Sequence, residues 1–340
     1  MTVKIKKIGE EVMKEFKSSV IITVIGLALA FVLGGVEALY IVTLLAILEV
    51  SLSFDNAVVN AKVLETMDKK WQERFITFGI PIAVFGMRFL FPIVIVALAG
   101  GLGVWETFNM ALNDPMSYKE TLISVEELIF AFGGSFLLMV FLNFIFDTDR
   151  EEKWIKIIEN SKLIDKMGEL SSIQMMIATV VGLTLILLTK NYEIALAYFT
   201  GVLLYSLIAS LDDLLGINGV RNGLMGFLYL EVLDASFSFD GVIGAFALSS
   251  DIFVIMLGLG IGAMFVRSLT LYMLRKKTLS EYRYLEHGAH YAVLALAIIM
   301  LLKIFIPINE MIVGTVGVAF IAVATYHSIK ANKKVKVLVE

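Results

Sequence analysis

Five acidic residues stand inside otherwise apolar stretches of this chain, and their spacing is where its chemistry begins. Glu49 and Asp55 lie in LEVSLSFDNAVV, and Glu231, Asp234 and Asp240 lie in LEVLDASFSFDGVIGAFALS. Glu231 and Asp234, three residues apart, share one face of a helix. Glu49, Ser53, Asn56 and Asn60 also share a face, at spacings of four, three and four. Asp55 falls about 120° off that face on an ideal helix. Either it serves a separate contact or the helix unwinds near Ser53 and Phe54. Asp240 follows Glu231 by nine residues and sits on the opposite side unless that helix is also broken, which Gly241 and Gly244 would ease.

Carboxylates with Asn and Ser oxygens form a hard donor set suited to Mg²⁺, Ca²⁺ or Mn²⁺, Mn²⁺ being the softest of the three. The same acids carry protons when lost hydration raises their pKa, so one site can exchange a metal ion for protons. The chain has no cysteine and only three histidines, His287, His290 and His327. Disulfides, thiolate metal sites and a cysteine nucleophile are therefore excluded. The sixteen methionines are scattered through apolar stretches and read as packing, not as copper ligands.

The elements that carry these acids must be membrane spans. Of 340 residues, 59% are hydrophobic and 18% charged, with a mean hydropathy of +0.86; a soluble domain carries about a quarter charged residues. An acid at the centre of a spanning helix costs about 2.5–3.5 kcal/mol. The five together would cost roughly 10 kcal/mol or more facing lipid, so they must face each other, a cation or water. Windows of roughly 20 apolar residues predict an all-α polytopic bundle of ten spans, near 18–34, 37–62, 75–99, 123–146, 173–189, 192–211, 223–248, 252–274, 287–302 and 308–328. The N-terminal MTVKIKKIGEEVMKEFK lacks a small-residue cleavage site, so the first run is expected to be a retained span.

Cytoplasmic loops hold the excess of Lys and Arg. An inside N-terminus gives the cytoplasm Lys69, Lys70 and Arg74, the basic residues of 150–166, and Arg275, Lys276, Lys277 and Arg283, leaving only Lys119, Lys190 and Lys303 outside. Both termini are thus expected in the cytoplasm of a multi-pass protein of the cell (inner or plasma) membrane. Residues 1–146 form an N-terminal half, 147–172 a charged cytoplasmic linker, 173–328 a C-terminal half and 329–340 a cytoplasmic tail. The net charge of −4 makes no case for nucleic acid.

The two acidic segments repeat each other, and each is followed one span later by a lone arginine, Arg88 in GMRFL and Arg267 in FVRSL. Five spans separate the motifs, an odd number, so the halves cross the membrane in opposite directions. Inverted repeats around a midplane site are a recurrent plan of secondary transporters. The competing expectation is that the acids pair with Arg88 and Arg267 in buried ion pairs that fix packing, which accounts for two acids and leaves about three. Weaker signals are Glu126 and Glu127 against Glu286, His287 and His290, at corresponding span starts. Asp212 and Asp213 read as a helix end.

With YLEHGAHYAVLALA downstream, the paired motifs resemble the TerC family of integral membrane proteins over about residues 40–305. The resemblance implies inverted-repeat cation export, manganese efflux among several members, and a tellurium-resistance association for the namesake. It implies a metal site of Glu49, Asp55 and Asn56 in the first half and Glu231, Asp234 and Asp240 in the second. The chain departs from the family pattern in extra terminal spans, a long outer loop at 100–122, and Gly241 where the first motif has Asn56.

The expectation is a secondary transporter exporting a divalent metal ion, Mn²⁺ foremost with Ca²⁺ and Mg²⁺ as alternatives, in exchange for protons. It is not expected to be an enzyme, and no Gly-rich phosphate loop with Lys is present for ATP hydrolysis. Its partners are the metal ion and the lipid bilayer, with a homo-oligomer left open. The rival readings are a metal-dependent membrane-embedded enzyme and a non-transporting stress scaffold that uses the linker as its contact.

Overall fold

The computed structural model describes residues 2–147, 150, 152–170, 172–214, 223–276 and 281–339. Side chains are described there apart from 2–14, 76, 79–81, 83–84, 162–163, 165, 211–214, 239–240, 247, 310–311 and 333–339. Every regular element among the described residues is a helix.

Helix α1 (Thr2–Leu52) is bent at Gly34 (φ −145, ψ 19) and Gly35 (φ 65, ψ −149). Gly35 lies in the left-handed region that a side chain disfavours. Both arms pack on α12 (Ile252–Lys276). Along the first arm, Glu15 accepts from Arg275 at 2.5 Å, Ser19 donates to the Met264 carbonyl at 2.8 Å, and Gly26 meets Ile261. Along the second, Leu45 meets Gly258 and Glu49 meets Gly262. The first arm therefore runs antiparallel to α12 and the second parallel, so the chain reverses at the glycine pair.

The expected span over 37–62 is interrupted. Ser53 leaves helical geometry (φ −107, ψ 16) and α2 (Phe54–Thr66) restarts after it. Gln72 closes the following turn, its amide donating to the carbonyls of Leu64 and Met67 at 2.8 and 2.9 Å. Helix α3 (Lys69–Pro81) passes into a π-helix (Ile82–Leu90) and then α4 (Phe91–Ala99), which has Pro92 in its first turn.

Residues 100–122, expected as a long outer loop, are mostly helical: α5 (Val104–Asn113) and the start of α6 (Pro115–Ile145) fill them. The polar residues that suggested a loop are start signals. Asp114 caps α6 by accepting from Ser117 N at 3.3 Å, and Pro115 needs no amide partner there. The linker carries two short helices, α7 (Lys156–Glu159) and α8 (Lys162–Gly168). Then follow α9 (Ile173–Thr189), α10 (Tyr192–Leu214), α11 (Gly223–Leu248), α12, α13 (Leu285–Lys303) and α14 (Glu310–Val339). The expected tail after 328 continues α14 as helix to Val339.

Buried α6 lies at the centre, between α10 and α13. Among the described residues, six helices are long and apolar enough to cross a membrane, within Glu15–Leu52, Pro115–Ile145, Tyr192–Ser210, Ile252–Lys276, Leu285–Lys303 and Ile312–Asn332; Phe85–Ala99 and Ile173–Thr189 are shorter apolar helices. Their outer faces expose large aliphatic side chains such as Val32, Val36 and Leu187. That surface fits a multi-pass membrane protein.

Candidate functional site

Helices α2, α11 (Gly223–Leu248) and α12 and the π-helix converge where α1 breaks. Glu49, 1% exposed, is in the last turn of α1. Two glycines make room for it. A Cβ on Gly262 of α12 would lie 2.6 Å from Glu49 Cγ, and one on Gly241 of α11 would lie 3.0 Å from Glu49 Oε2. The mismatch between the two motifs thus has a steric reason: Gly241, opposite Asn56 in the repeat, leaves its volume to the Glu49 carboxylate.

Arg88, carried by the π-helix, is buried between two acids from distant parts of the chain. Its Nη2 pairs with Glu49 Oε1, and its Nη1 donates to Asp234 Oδ2 at 3.0 Å. Ser53 donates to Glu49 Oε1 at 3.0 Å, and Asn56 Nδ2 donates to Asp234 Oδ1 at 2.6 Å. Glu49, Ser53 and Asn56 therefore keep a common face across the break, since the backbone bonds from Ser53 N to Glu49 O and Ala57 N to Ser53 O carry through it at 3.0 and 3.2 Å.

Beside this bridge is a cavity of about 30 Å³, lined by Asn60, Phe75, Arg88, Glu231, Asp234, Ala263, Val266, Arg267 and Thr270. A space of that size holds a water molecule or an ion. Glu231 Oε1, Asn60 Oδ1 and Arg88 Nε, on residues that line it, are buried without a hydrogen-bond partner, as is Oδ1 of Asn56, the residue that bonds Asp234. Buried polar atoms are normally satisfied, and each orphan costs about 1–3 kcal/mol. Arg267 donates to the Phe75 carbonyl at 3.0 Å.

The structure thus brings together Glu49, Asn56 and Asp234 on Arg88, with Glu231 on the adjoining cavity. Asp55 turns elsewhere. It is buried in the first turn of α2, accepts from Asn56 N at 3.0 Å, and faces α14 at Gly317. Of the two alternatives its angle left open, both occur: the helix breaks and Asp55 makes a separate contact. The side chains of Asp240, Asp212 and Asp213 lie outside the described residues. Among the described residues, no three acidic or histidine side chains are grouped so as to hold one metal ion. The guanidinium stands as the cation instead.

The weaker signals go to a different place. Glu286 pairs with Lys62 at 2.9 Å, and His290 stacks on Phe144 at 3.8 Å. His287 Nε2 approaches Glu159 Oε2 at 3.3 Å and bonds the Glu152 carbonyl at 2.8 Å. Glu126 is half-buried and Glu127 exposed. Glu159, in the linker, was not singled out by its sequence, yet it is fully buried. It accepts from the amides of Trp154 and Ile155 at 3.2 and 3.1 Å, from Arg150 at 3.3 Å and from Tyr291 at 3.3 Å. Burial by itself pushes its carboxyl up, but the bonds from His287 and Ile155 and the charges of His287 and Arg150 outweigh that and hold it at about 2. One acid in a charged segment looks like any other until the fold closes around it.

Fold and site define a class: an all-helical protein, fitting a multi-pass membrane protein, with a buried arginine shared by carboxylates from two distant parts of the chain. The chain belongs to the family described as protein of unknown function (DUF475), whose model matches residues 54–335. The match takes in Arg88, Glu231 and Asp234 and leaves Glu49 just outside. No curated protein and no solved structure matches.

Proposed function

We propose that this protein is a secondary transporter that exports a divalent metal ion, Mn²⁺ foremost, in exchange for protons. The observation that carries the reading is the cavity beside the α1 break, where Glu231, Asp234 and Asn60 present oxygens next to a carboxylate pair held by Arg88, with Arg267 on the same lining. Ionisable groups within apolar helices are costly and mark ion pathways. The donors are oxygens, as a hard divalent ion requires. The resemblance of LEVSLSFDNAVV and LEVLDASFSFDGVIGAFALS to the TerC family supports the same reading, including manganese as the cargo.

Ten spans in two inverted halves, with cytoplasmic termini, remain the topology we propose. The chain reversal at Gly34–Gly35 supports it, because it makes two crossings of the 38-residue apolar stretch Glu15–Leu52. The meeting of Glu49 and Asp234 on one arginine supports a site shared by both halves.

The test is flux into proteoliposomes loaded with a divalent-sensitive dye under an imposed pH gradient. Wild-type protein is expected to move Mn²⁺, and Asp234→Asn to abolish that flux. Absence of Mn²⁺, Ca²⁺ and Mg²⁺ movement by folded wild-type protein, or full flux in Asp234→Asn, sinks the reading. Lipid turnover without flux would favour a membrane enzyme instead.

A further inference from the structure

We infer that Arg88 is a tethered counter-cation that closes the transport site and makes it select divalent over monovalent ions, and that its π-helical carrier lets it withdraw when cargo arrives. This inference rests on the transport reading above and specifies how that site is gated.

Charge supplies the first argument. Glu49 and Asp234 hold one guanidinium between them, so two negative charges are met by a single positive one. A divalent ion neutralises the pair completely. A monovalent ion offers no more charge than the arginine already there, and it must compete with a group held in place by the chain at high effective concentration. Monovalent ions are therefore rejected and divalent ions admitted.

Incomplete satisfaction is the second. Arg88 pairs through its two terminal nitrogens while Nε is buried without a partner. Glu231 Oε1 and Asn60 Oδ1, on residues that line the adjoining cavity, also lack donors. These are the groups that a cation in the adjoining cavity would engage, and Arg88 lines that cavity.

Freedom to move is the third. The segment Ile82–Leu90 is a nine-residue π-helix. Such wide turns are uncommon beyond a single turn and cluster at functional sites. Shifting the wide turn past Arg88 by one residue rotates the side chain about 100° around the helix axis. That motion takes the guanidinium off both carboxylates without unfolding the helix. Gly86, two residues before Arg88, has only ordinary contacts around it, the nearest being the Ile82 side chain at 3.4 Å from the position of a Cβ.

The experiment is Mn²⁺ binding to purified protein in nanodiscs, read as loss of the free-ion spin resonance signal, with Na⁺ as competitor. Wild type is expected to bind Mn²⁺ with little Na⁺ competition. Arg88→Gln is expected to bind Mn²⁺ about tenfold or more tightly, since a like charge beside the ion is gone, and to become sensitive to Na⁺. Arg88→Lys should restore the wild-type pattern in part. Because Arg88→Gln leaves Glu49 and Asp234 without their ion-pair partner, Glu49→Gln/Arg88→Gln against Glu49→Gln alone gives the same comparison with one acid fewer. Hydrogen exchange of the amides of 82–90 in wild type should change on Mn²⁺ addition and stay unchanged with Na⁺. If Asp234→Asn abolishes binding while loss of Arg88 changes neither Mn²⁺ affinity nor Na⁺ competition, the transport site stands and this inference fails. If no form binds Mn²⁺, Ca²⁺ or Mg²⁺, the transport reading fails and takes this one with it.

Discussion

Asp234 is the residue on which the site turns, because both of its oxygens are engaged by groups from other elements. Arg88 donates to one at 3.0 Å and Asn56 to the other at 2.6 Å. Groups in one buried network do not act independently. A double-mutant cycle of Asn56→Ala and Asp234→Asn should therefore show a coupling energy of about 0.5–3 kcal/mol in thermal or denaturant unfolding. Strict additivity would mean that the Asn56 contact contributes nothing to the site. Gly241 and Gly262 belong at this scale too. Neither carries a functional group, yet both define where the Glu49 carboxylate sits. Spacing could place Glu49, Ser53 and Asn56 on one face, but no pattern of apolar and polar residues reveals that a distant glycine is the space an acid occupies.

Among the elements, the pair α1 and α12 matters most. Gly258 and Gly262 are four residues apart on α12 and meet Leu45 and Glu49, also four apart on α1. Small residues at that spacing let two helix backbones approach closely. A Cβ on Gly262 would reach 2.9 Å from the Ala46 carbonyl as well as striking Glu49, so the helices themselves must part. Gly262→Ala is expected to cost about 1–3 kcal/mol and to weaken the Glu49–Arg88 pair. Gly103→Ala, where the nearest atoms are 3.8 Å away and φ is −69, replaces only the N-cap glycine of α5 and should cost less, about 0.5–1 kcal/mol. Thermal stability in detergent compares the two, and equal losses would refute close packing as the cause. The sequence indicated most of these helices through their apolar runs. It misjudged 100–122 because a capped helix start and a polar loop use the same residue types, and it left the break at Ser53 as one of two choices.

For the molecule as a whole, residues 152–159 of the linker are a fixed part and not a loose strap. Glu159 binds it to α13 through His287 and Tyr291, and Arg283 reaches Glu152 at 3.6 Å. Trp154 donates to His327 of α14 at 2.9 Å. The Glu159 carboxyl lies below its ordinary 4.5, at about 2. A depressed acid stabilises the folded state fully above its ordinary pKa and loses that contribution as pH falls through the lower value. The difference in stability between wild type and Glu159→Gln should be on the order of 3 kcal/mol at pH 7. It should shrink between about pH 4.5 and 2. Unfolding across that range measures it, together with faster hydrogen exchange of 154–160 in the variant at pH 7. A pH-independent difference would show that the ionised form of Glu159 is not what holds the linker.

By itself the sequence determined the class of the molecule, its apolar helices and the residues too costly to leave in lipid. Those follow from local composition and from the free energy of removing charge from water, both of which act along the chain. Only the tertiary structure decided which of these acids meet. Glu49 and Asp234 are 185 positions apart, and their common partner Arg88, the turning away of Asp55 toward α14, and the enclosure of Glu159 all depend on how helices pack. Packing is set by side-chain volumes and glycine gaps across distant segments, which spacing along one segment does not encode.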